Sequence, residues 1–324
     1  MFTLHLTALA SGFIILTYSA DRFVSGASGL ARLLGISPLV IGLVVVGFGT
    51  SAPEMLVSAV AAYNGSSGIA IGNAIGSNIT NIGLVLGVSA ILVPLTVHSE
   101  ILRREFPILL SAMLVVCLLM MDMTLDRIDG AVMLTGLVVT VYWIVGLAIR
   151  SRKSDPLFTE LVREIPGKMS MTRALLFIGI GLGGLLLGAR FVVWAAVEIA
   201  QGLGISDLVI GLTVVAVGTS LPELFASVTS VLKNEHDIAI GNVMGSNIFN
   251  ILGVVGISCV IRPATYGPSV LMRDYAVMTG FTIALFAISY GFRGEGVIKR
   301  DKGVILVTAF VIYLFAVYFQ TDPL

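Results

Sequence analysis

Apolar residues run through this chain in long blocks, and most charged residues gather between them. Gly130 to Ile149 carries no charged side chain at all. About 20 such residues, wound as a helix, cross the hydrocarbon core of a bilayer. Backbone N–H and C=O groups find no partners in lipid, so helices are the form such runs take. The pattern predicts ten membrane spans, at roughly 4–20, 38–62, 69–94, 106–121, 128–149, 174–190, 207–232, 238–261, 271–291 and 303–320. The stretches after the first and sixth spans stay fairly apolar, which allows longer, tilted helices there. The longest polar connection, Arg150 to Arg173, is too short for a soluble domain.

Composition agrees with this reading. Hydrophobic residues make up 57% of the chain and charged residues 12%, about half the charged share of a soluble protein. The formal net charge is zero, so no basic surface points to nucleic acid. Cys117 and Cys259 lie inside apolar runs and read as small core residues, not as a disulfide or a metal site. No Lys or Arg precedes the first apolar run, which predicts a first membrane helix in place of a cleaved signal peptide. Loops after odd-numbered spans hold fifteen Lys and Arg, whereas the other side holds only Arg127, Arg190, Arg262 and Arg273. Basic residues favour the cytoplasmic side, so both termini are expected on the non-cytoplasmic side.

The apolar blocks conceal a repeat. Gly35 to Ser89 aligns without gaps on Gly204 to Ser258 at a constant shift of 169, with 30 of 55 positions identical. Gly49-Thr50-Ser51-Ala52-Pro53-Glu54 returns as Gly218-Thr219-Ser220-Leu221-Pro222-Glu223. Gly76-Ser77-Asn78-Ile79-Thr80-Asn81 returns as Gly245-Ser246-Asn247-Ile248-Phe249-Asn250. Apolar bias produces stray Val and Leu matches, but not matched Pro, Glu, Ser and Asn. The expected architecture is all-α, with two five-helix repeats: residues 1–150 and 174–324, joined by a cytoplasmic loop at 151–173. Five is odd, so the second repeat enters the membrane from the opposite side. Inverted repeats set a substrate site near the midplane, where broken helices of the two halves meet.

Glu54 and Glu223 lie far from the ends of their spans. A charge near the bilayer centre costs about 3 kcal/mol on insertion scales, which favours a functional role. Protonated glutamates joining helices by hydrogen bonds are the plainer account, and they leave the rest of the pattern unexplained. Pro53 and Pro222 lack an N–H, so the carbonyls of Gly49 and Gly218 lose their helical donors. Nearby Gly47, Gly49 and Gly218 ease local unwinding. A proline kink for packing alone does not account for a Glu beside it in both halves.

Ser51, Glu54 and Ser58 share a helix face, as do Asn73, Ser77 and Asn81. Ser220, Glu223 and Ser227, and Asn242, Ser246 and Asn250, repeat those stripes. Polar stripes on apolar helices can simply join helices, and that reading is natural for Ser58, Ser227, Asn73, Asn242, Asn78 and Asn247. Ser51, Ser77 and Asn81, with their counterparts Ser220, Ser246 and Asn250, can face the glutamates. All of these groups offer oxygen, and His5, His98 and His236 lie near span ends. Such donors suit hard cations, not soft transition metals, and a flexible dry oxygen site suits Ca²⁺ better than Mg²⁺. No cofactor is called for; the ions are substrates.

The two Gly-Thr-Ser-x-Pro-Glu motifs, each followed by Gly-Ser-Asn-Ile-x-Asn, resemble those of the sodium/calcium exchangers within the cation/calcium exchanger superfamily. The resemblance covers both repeat blocks and the ten-span plan. It is closest to the short bacterial inner-membrane type, which lacks the large cytosolic regulatory domain of animal exchangers. It implies that Glu54 and Glu223 are central carboxylates shared by Ca²⁺ and Na⁺. By the same resemblance, Thr50 and Thr219 give backbone oxygen, and Ser51, Ser77, Ser220 and Ser246 are flanking Na⁺ ligands. Asn81 and Asn250 stand beside the central site, where family members often carry one Asp; this chain has Asn at both.

The expected activity is obligatory exchange of Ca²⁺ for Na⁺ by alternating access. Two ionised glutamates without a cation repel each other in a dry interior, so the empty carrier crosses rarely. The alternative is a Ca²⁺/H⁺ antiporter, in which protons neutralise the pair. A channel needs no occlusion, which the duplicated kinked half-sites imply. An intramembrane hydrolase needs a nucleophile–base or metal constellation, and the sequence offers none.

Overall fold

The computed structural model describes residues 2–65, 67–97, 99–151, 169–202, 216–290 and 296–320. Most of the expected connecting loop, including Arg152, Lys153, Arg163 and Lys168, lies outside them, as do residues 207–215 of the seventh expected span, His98 and Arg293.

The chain opens with α1 (Phe2–Leu34). At 1.5 Å per residue its 33 residues run about 50 Å, more than the ~30 Å apolar thickness requires. The first span thus extends well beyond 4–20, and α9 (Met171–Gly202) likewise extends the sixth span beyond 174–190. The two long helices pack along each other through small residues. A Cβ on Gly181 would fall 2.5 Å from the Phe23 nitrogen, and one on Gly12 would fall 2.7 Å from Val192. Leu16, Phe23, Ala27, Leu185 and Val192 fill the seam between them.

The second span is broken into α2 (Pro38–Ile41), a π turn (Gly42–Val46), α3 (Gly47–Thr50) and α4 (Ala52–Tyr63). The third comprises α5 (Ser67–Thr80), a π turn (Asn81–Leu86) and α6 (Gly87–Leu92). Then come α7 (Ser99–Leu119) and α8 (Arg127–Ser151). The second half repeats the plan. It has α10 (Ala216–Thr219), α11 (Leu221–Leu232), α12 (His236–Ile248), a π turn (Phe249–Val254) and α13 (Val255–Ile261). A π turn (Val270–Tyr275) leads into α14 (Ala276–Ser289), and α15 (Arg300–Gln320) follows. Among the described residues, seven helices are long and apolar enough to cross a membrane, and the bent pair Pro38–Thr50 with Ala52–Tyr63 makes an eighth when counted as one span.

Burial separates the spans into two kinds. Within an 18-residue apolar stretch of Ala70–Leu92, 72% of the residues are buried, and within one of His236–Ile261 83%, against 17% for Arg127–Leu147. The first two are the helices that carry the Gly-Ser-Asn motifs, so the polar positions of the repeat are wrapped by protein. Tyr142 and Trp143 on α8 face outward, as expected of a helix bathed in lipid.

The halves interlock by exchange. Gly87 on α6 lies against Gly303 on α15, while Gly256 on α13 lies against Gly130 on α8. Each half thus sends its final helix onto the third span of the other. Four short strands do the same. β1 (Leu95–Val97) pairs antiparallel with β4 (Gly296–Ile298), Leu95 opposite Ile298. β2 (Thr124–Leu125) pairs with β3 (Ala264–Thr265), Leu125 opposite Ala264.

Candidate cation-binding site

The break in the second span falls at Ser51, between α3 and α4, and bends the pair by 41°. Ser51 leaves helical geometry at φ −83, ψ 2, and Ser220 does the same at φ −88, ψ 7. Each proline then sits at the second position of the next helix, where its missing N–H is tolerated. The same proline deprives the Gly49 or Gly218 carbonyl of its i+4 donor. Glu54 and Glu223 therefore occupy the first turns of α4 and α11, at the positive ends of those helices, where a carboxylate is favoured.

Asparagines brace both glutamates from behind. Asn73 Nδ2 donates to Ser58 Oγ at 2.9 Å and to the Glu54 carbonyl at 3.5 Å. Asn242 Nδ2 donates to Ser227 Oγ at 2.8 Å and to the Glu223 carbonyl at 3.2 Å. The helix-joining role read for these four residues is the geometry found. Asn242 does more: its Oδ1 accepts from Thr50 Oγ1 at 3.0 Å, across the halves.

The halves meet closely here because glycine permits it. A Cβ on Gly245 would lie 2.1 Å from the Leu43 carbonyl oxygen, and one on Gly241 would lie 2.4 Å from that of Leu39. α12 consequently rides on the backbone of the Gly42–Val46 turn. Ser246 Oγ reaches the Gly47 carbonyl at 3.4 Å and lies 3.4 Å from Thr50 Oγ1. Thr50 Oγ1 also faces the carbonyls of Val46 and Gly47 at 3.1 and 3.5 Å. One hydroxyl hydrogen serves only one of these acceptors at a time, which leaves oxygen lone pairs turned inward.

Ser51 Oγ donates to Glu223 Oε1 at 3.3 Å, joining the first motif to the second. Glu54, Glu223, Thr50, Ser51, Ser246, Asn81 and Asn250 are fully buried, with Ser220 and Ser77 nearly so, and Thr219 half-buried. Both Glu54 carboxylate oxygens, Glu223 Oε2, Ser220 Oγ, Asn81 Oδ1 and Asn250 Oδ1 are sealed from solvent without a hydrogen bond. Buried oxygens left in that condition are unfavourable unless a hydrogen-bond donor, a proton or a cation meets them. Among the described residues, no three His, Cys, Asp or Glu side chains cluster as a metal centre. The donor set is two carboxylates with hydroxyl, amide and carbonyl oxygens, the chemistry that suits a hard cation.

Asn81 opens one π turn and Asn250 lies in another. Asn81 Nδ2 donates to Asn247 Oδ1 at 3.1 Å, and Asn78 Nδ2 donates to the Asn247 carbonyl at 3.2 Å. Sequence reasoning missed the π turns and the Thr50–Asn242 bridge. Such a turn adds one residue to a helix without a proline or another local signal that marks it in the sequence.

Comparison with known proteins places this geometry. The profile of the sodium/calcium exchanger protein family matches residues 4–146 and 173–319. CaxA of Alkalimonas amylolytica, described as a candidate antiporter, is 45% identical over 311 residues, covering 95% of this chain and 96% of CaxA. Sodium/calcium exchanger MaX1 of Methanosarcina acetivorans is 30% identical, over 98% of this chain and all of MaX1. A solved structure of the sodium-calcium exchanger NCX_Mj, soaked with Na⁺ and Sr²⁺, superposes with a TM-score of 0.83 at 35% identity, covering 96% of this chain and 98% of that one. With both halves matched and the broken-helix site in place, this chain belongs to the sodium/calcium exchanger family of membrane transporters.

Proposed function

We propose that this protein is a secondary antiporter that exchanges Ca²⁺ for Na⁺ by alternating access. The observation that carries the reading is the pair of buried glutamates, one from each half, with Ser51 of the first motif donating to Glu223 of the second and unpartnered oxygens on both glutamates and on nearby side chains. The names of MaX1 and NCX_Mj as sodium/calcium exchangers support it. In this reading the chain forms ten spans in two inverted repeats, 1–150 and 174–324, with both termini on the non-cytoplasmic side. The resemblance to the inner membrane protein YrbG of Escherichia coli (strain K12), 41% identical over 98% of this chain, supports a bacterial inner-membrane location.

Glu54 and Glu223 are the shared central ligands. Thr50 and Thr219 give backbone oxygen, while Ser51, Ser77, Ser220 and Ser246 hold flanking Na⁺. Asn81 and Asn250 border the centre. Two carboxylates balance one Ca²⁺ or two Na⁺, and a third Na⁺ leaves a net charge of +1. Moving that charge is worth about 2.3 kcal/mol per 100 mV. Family resemblance favours three Na⁺, with hydroxyl and carbonyl dipoles stabilising the excess charge.

Vesicles with imposed Na⁺ or H⁺ gradients test the coupling. Ca²⁺ flux driven by Na⁺ alone is the expected result, and flux driven only by H⁺ would replace this reading with proton exchange. With equal Na⁺ on both sides, flux that varies with clamped potential supports three Na⁺, and voltage-independent flux supports two.

A further inference from the structure

Asn81 and Asn250 are counterparts under the repeat shift, yet their amides are held differently. Asn81 Nδ2 donates to Asn247 Oδ1 at 3.1 Å, while Asn81 Oδ1 is sealed from solvent without a donor. Asn250 is fully buried with no partner at either amide atom. The cause lies three residues back in each half, at Asn78 and Asn247. Asn78 Nδ2 donates to the Asn247 backbone carbonyl at 3.2 Å and to Met278 Sδ on α14 at 3.5 Å. Its amide is thus committed to α12 and α14, and it does for Asn250 nothing like what Asn247 does for Asn81.

The π turn that Asn81 opens, together with α6, packs along α11. The third and seventh spans run in the same direction in the proposed topology. Asn81 therefore stands level with the first turn of α11, which carries Glu223. An amide beside a cation must offer its oxygen, because its N–H groups are donors with positive partial charge. The two ends of an amide are nearly alike in size, so packing does not choose between them, but a hydrogen bond does. Asn247 Oδ1 is an acceptor, so it holds the N–H side of Asn81 and leaves the oxygen on the other side. The reverse pairing, with the Asn247 amide donating to Asn81, would turn N–H groups of Asn81 toward the ion.

We propose that Asn247 is a positioning residue for cation binding, which fixes the Asn81 amide with its oxygen presented as a ligand. The role rests on the reading of Asn81 as part of the cation site. It has no counterpart at Asn250 among the described residues. Asn247 joins the two halves, as a polar stripe residue is expected to, and it does so through the group that selects the ligand atom of its partner.

The test measures binding of radiolabelled Ca²⁺ to the purified full chain. Asn247→Ala lowers the affinity about fivefold, the equivalent of one hydrogen bond of ~1 kcal/mol, and Asn81→Ala lowers it at least as much. The double variant binds no more weakly than Asn81→Ala alone, because Asn247 acts through that amide. Asn78→Ala breaks the contact to the Asn247 backbone but leaves the Asn81 bond. It lowers the melting temperature and leaves Ca²⁺ affinity unchanged, which separates positioning from packing. Asn247→Leu, of similar volume and without an acceptor, repeats the cycle where the alanine variant does not insert. Losses that multiply in the double variant, or an equal loss of affinity in Asn78→Ala, overturn the positioning role and leave the site reading standing. Unchanged affinity in Asn81→Ala removes Asn81 from the site and this role with it. Wild type that binds no Ca²⁺ overturns the site reading itself.

Discussion

The turn between α4 and α5 and the turn between α11 and α12 occupy equivalent places in the repeat, yet they are secured differently. Gly65 (φ 90) and Asn234 (φ 62) are separated by the repeat shift and both adopt the left-handed conformation. The backbone solution is shared. In the second turn, Lys233 Nζ binds Asp21 Oδ1 at 2.7 Å and Ser25 Oγ at 2.6 Å. Glu235 Oε1 accepts from Ser28 Oγ at 2.5 Å and from Arg32 at 3.0 Å. The first turn, Tyr63-Asn64-Gly65-Ser66-Ser67, carries no charge, and Tyr63 is exposed. A few residues inward, Asn73–Ser58 and Asn242–Ser227 are matched to 0.1 Å. In the interior, where the two motifs meet, the chemistry stays duplicated. At the rim each half makes its own contacts, and the second is fastened to α1.

The largest expected effect tests the equivalence of the interior. Glu54→Gln and Glu223→Gln should each lower Na⁺-driven Ca²⁺ uptake about 100-fold or more, since removing one charge of a buried set costs ~3 kcal/mol. Both variants should insert and run as monodisperse protein. Wild-type uptake in either one removes that glutamate from the site and breaks the symmetry argued here.

Next come the bracing asparagines. Asn242→Ala loses the Ser227, Glu223 and Thr50 contacts, whereas Asn73→Ala loses only those to Ser58 and Glu54. At about 1 kcal/mol per hydrogen bond, Asn242→Ala should lower the melting temperature more. Equal shifts would show that the Thr50 bridge contributes nothing.

The serines should give a smaller, selective effect. Ser51→Ala, Ser77→Ala, Ser220→Ala and Ser246→Ala should weaken Na⁺ dependence several-fold, about 1 kcal/mol each, and Ca²⁺ binding less. Hydroxyls matter more to a monovalent ion held outside the carboxylates. An equal loss for both ions points to packing instead.

The rim gives the smallest effect. Its ion pairs are partly exposed and worth about 0–1 kcal/mol each. Lys233→Ala with Glu235→Ala should raise hydrogen exchange in the α11–α12 turn less than about tenfold, with the difference fading at high salt. Asn64→Ala should leave its own turn unchanged. A large change there would mean that the first rim is anchored as firmly as the second.

The contrast between interior and rim also explains what the sequence could disclose. The repeat, the broken helices at Pro53 and Pro222 and the paired glutamates were legible because proline and buried charge act through the local backbone. The apolar stretches after the first and sixth spans pointed to longer helices there, but not to where α1 and α9 end, because residues such as Gly26 and Arg32 leave the apolar pattern while the helix continues. Exchange of α8 and α15 between halves was equally hidden: Gly130 and Gly303 have no local feature that names their partners. The ion pairs of Lys233 with Asp21 and of Arg32 with Glu235 were hidden too, since an ion pair between distant segments leaves no pattern in either one.

Asn78 and Asn247 are counterparts under the repeat shift, and they touch each other. The bond is one-sided: the Asn78 amide donates to the Asn247 backbone carbonyl, while the Asn247 Oδ1 accepts from Asn81. Equivalent positions thus meet at the seam between the halves without forming equivalent bonds. A primary amide carries donors and an acceptor without charge, so the same residue type serves as donor in one half and as acceptor in the other.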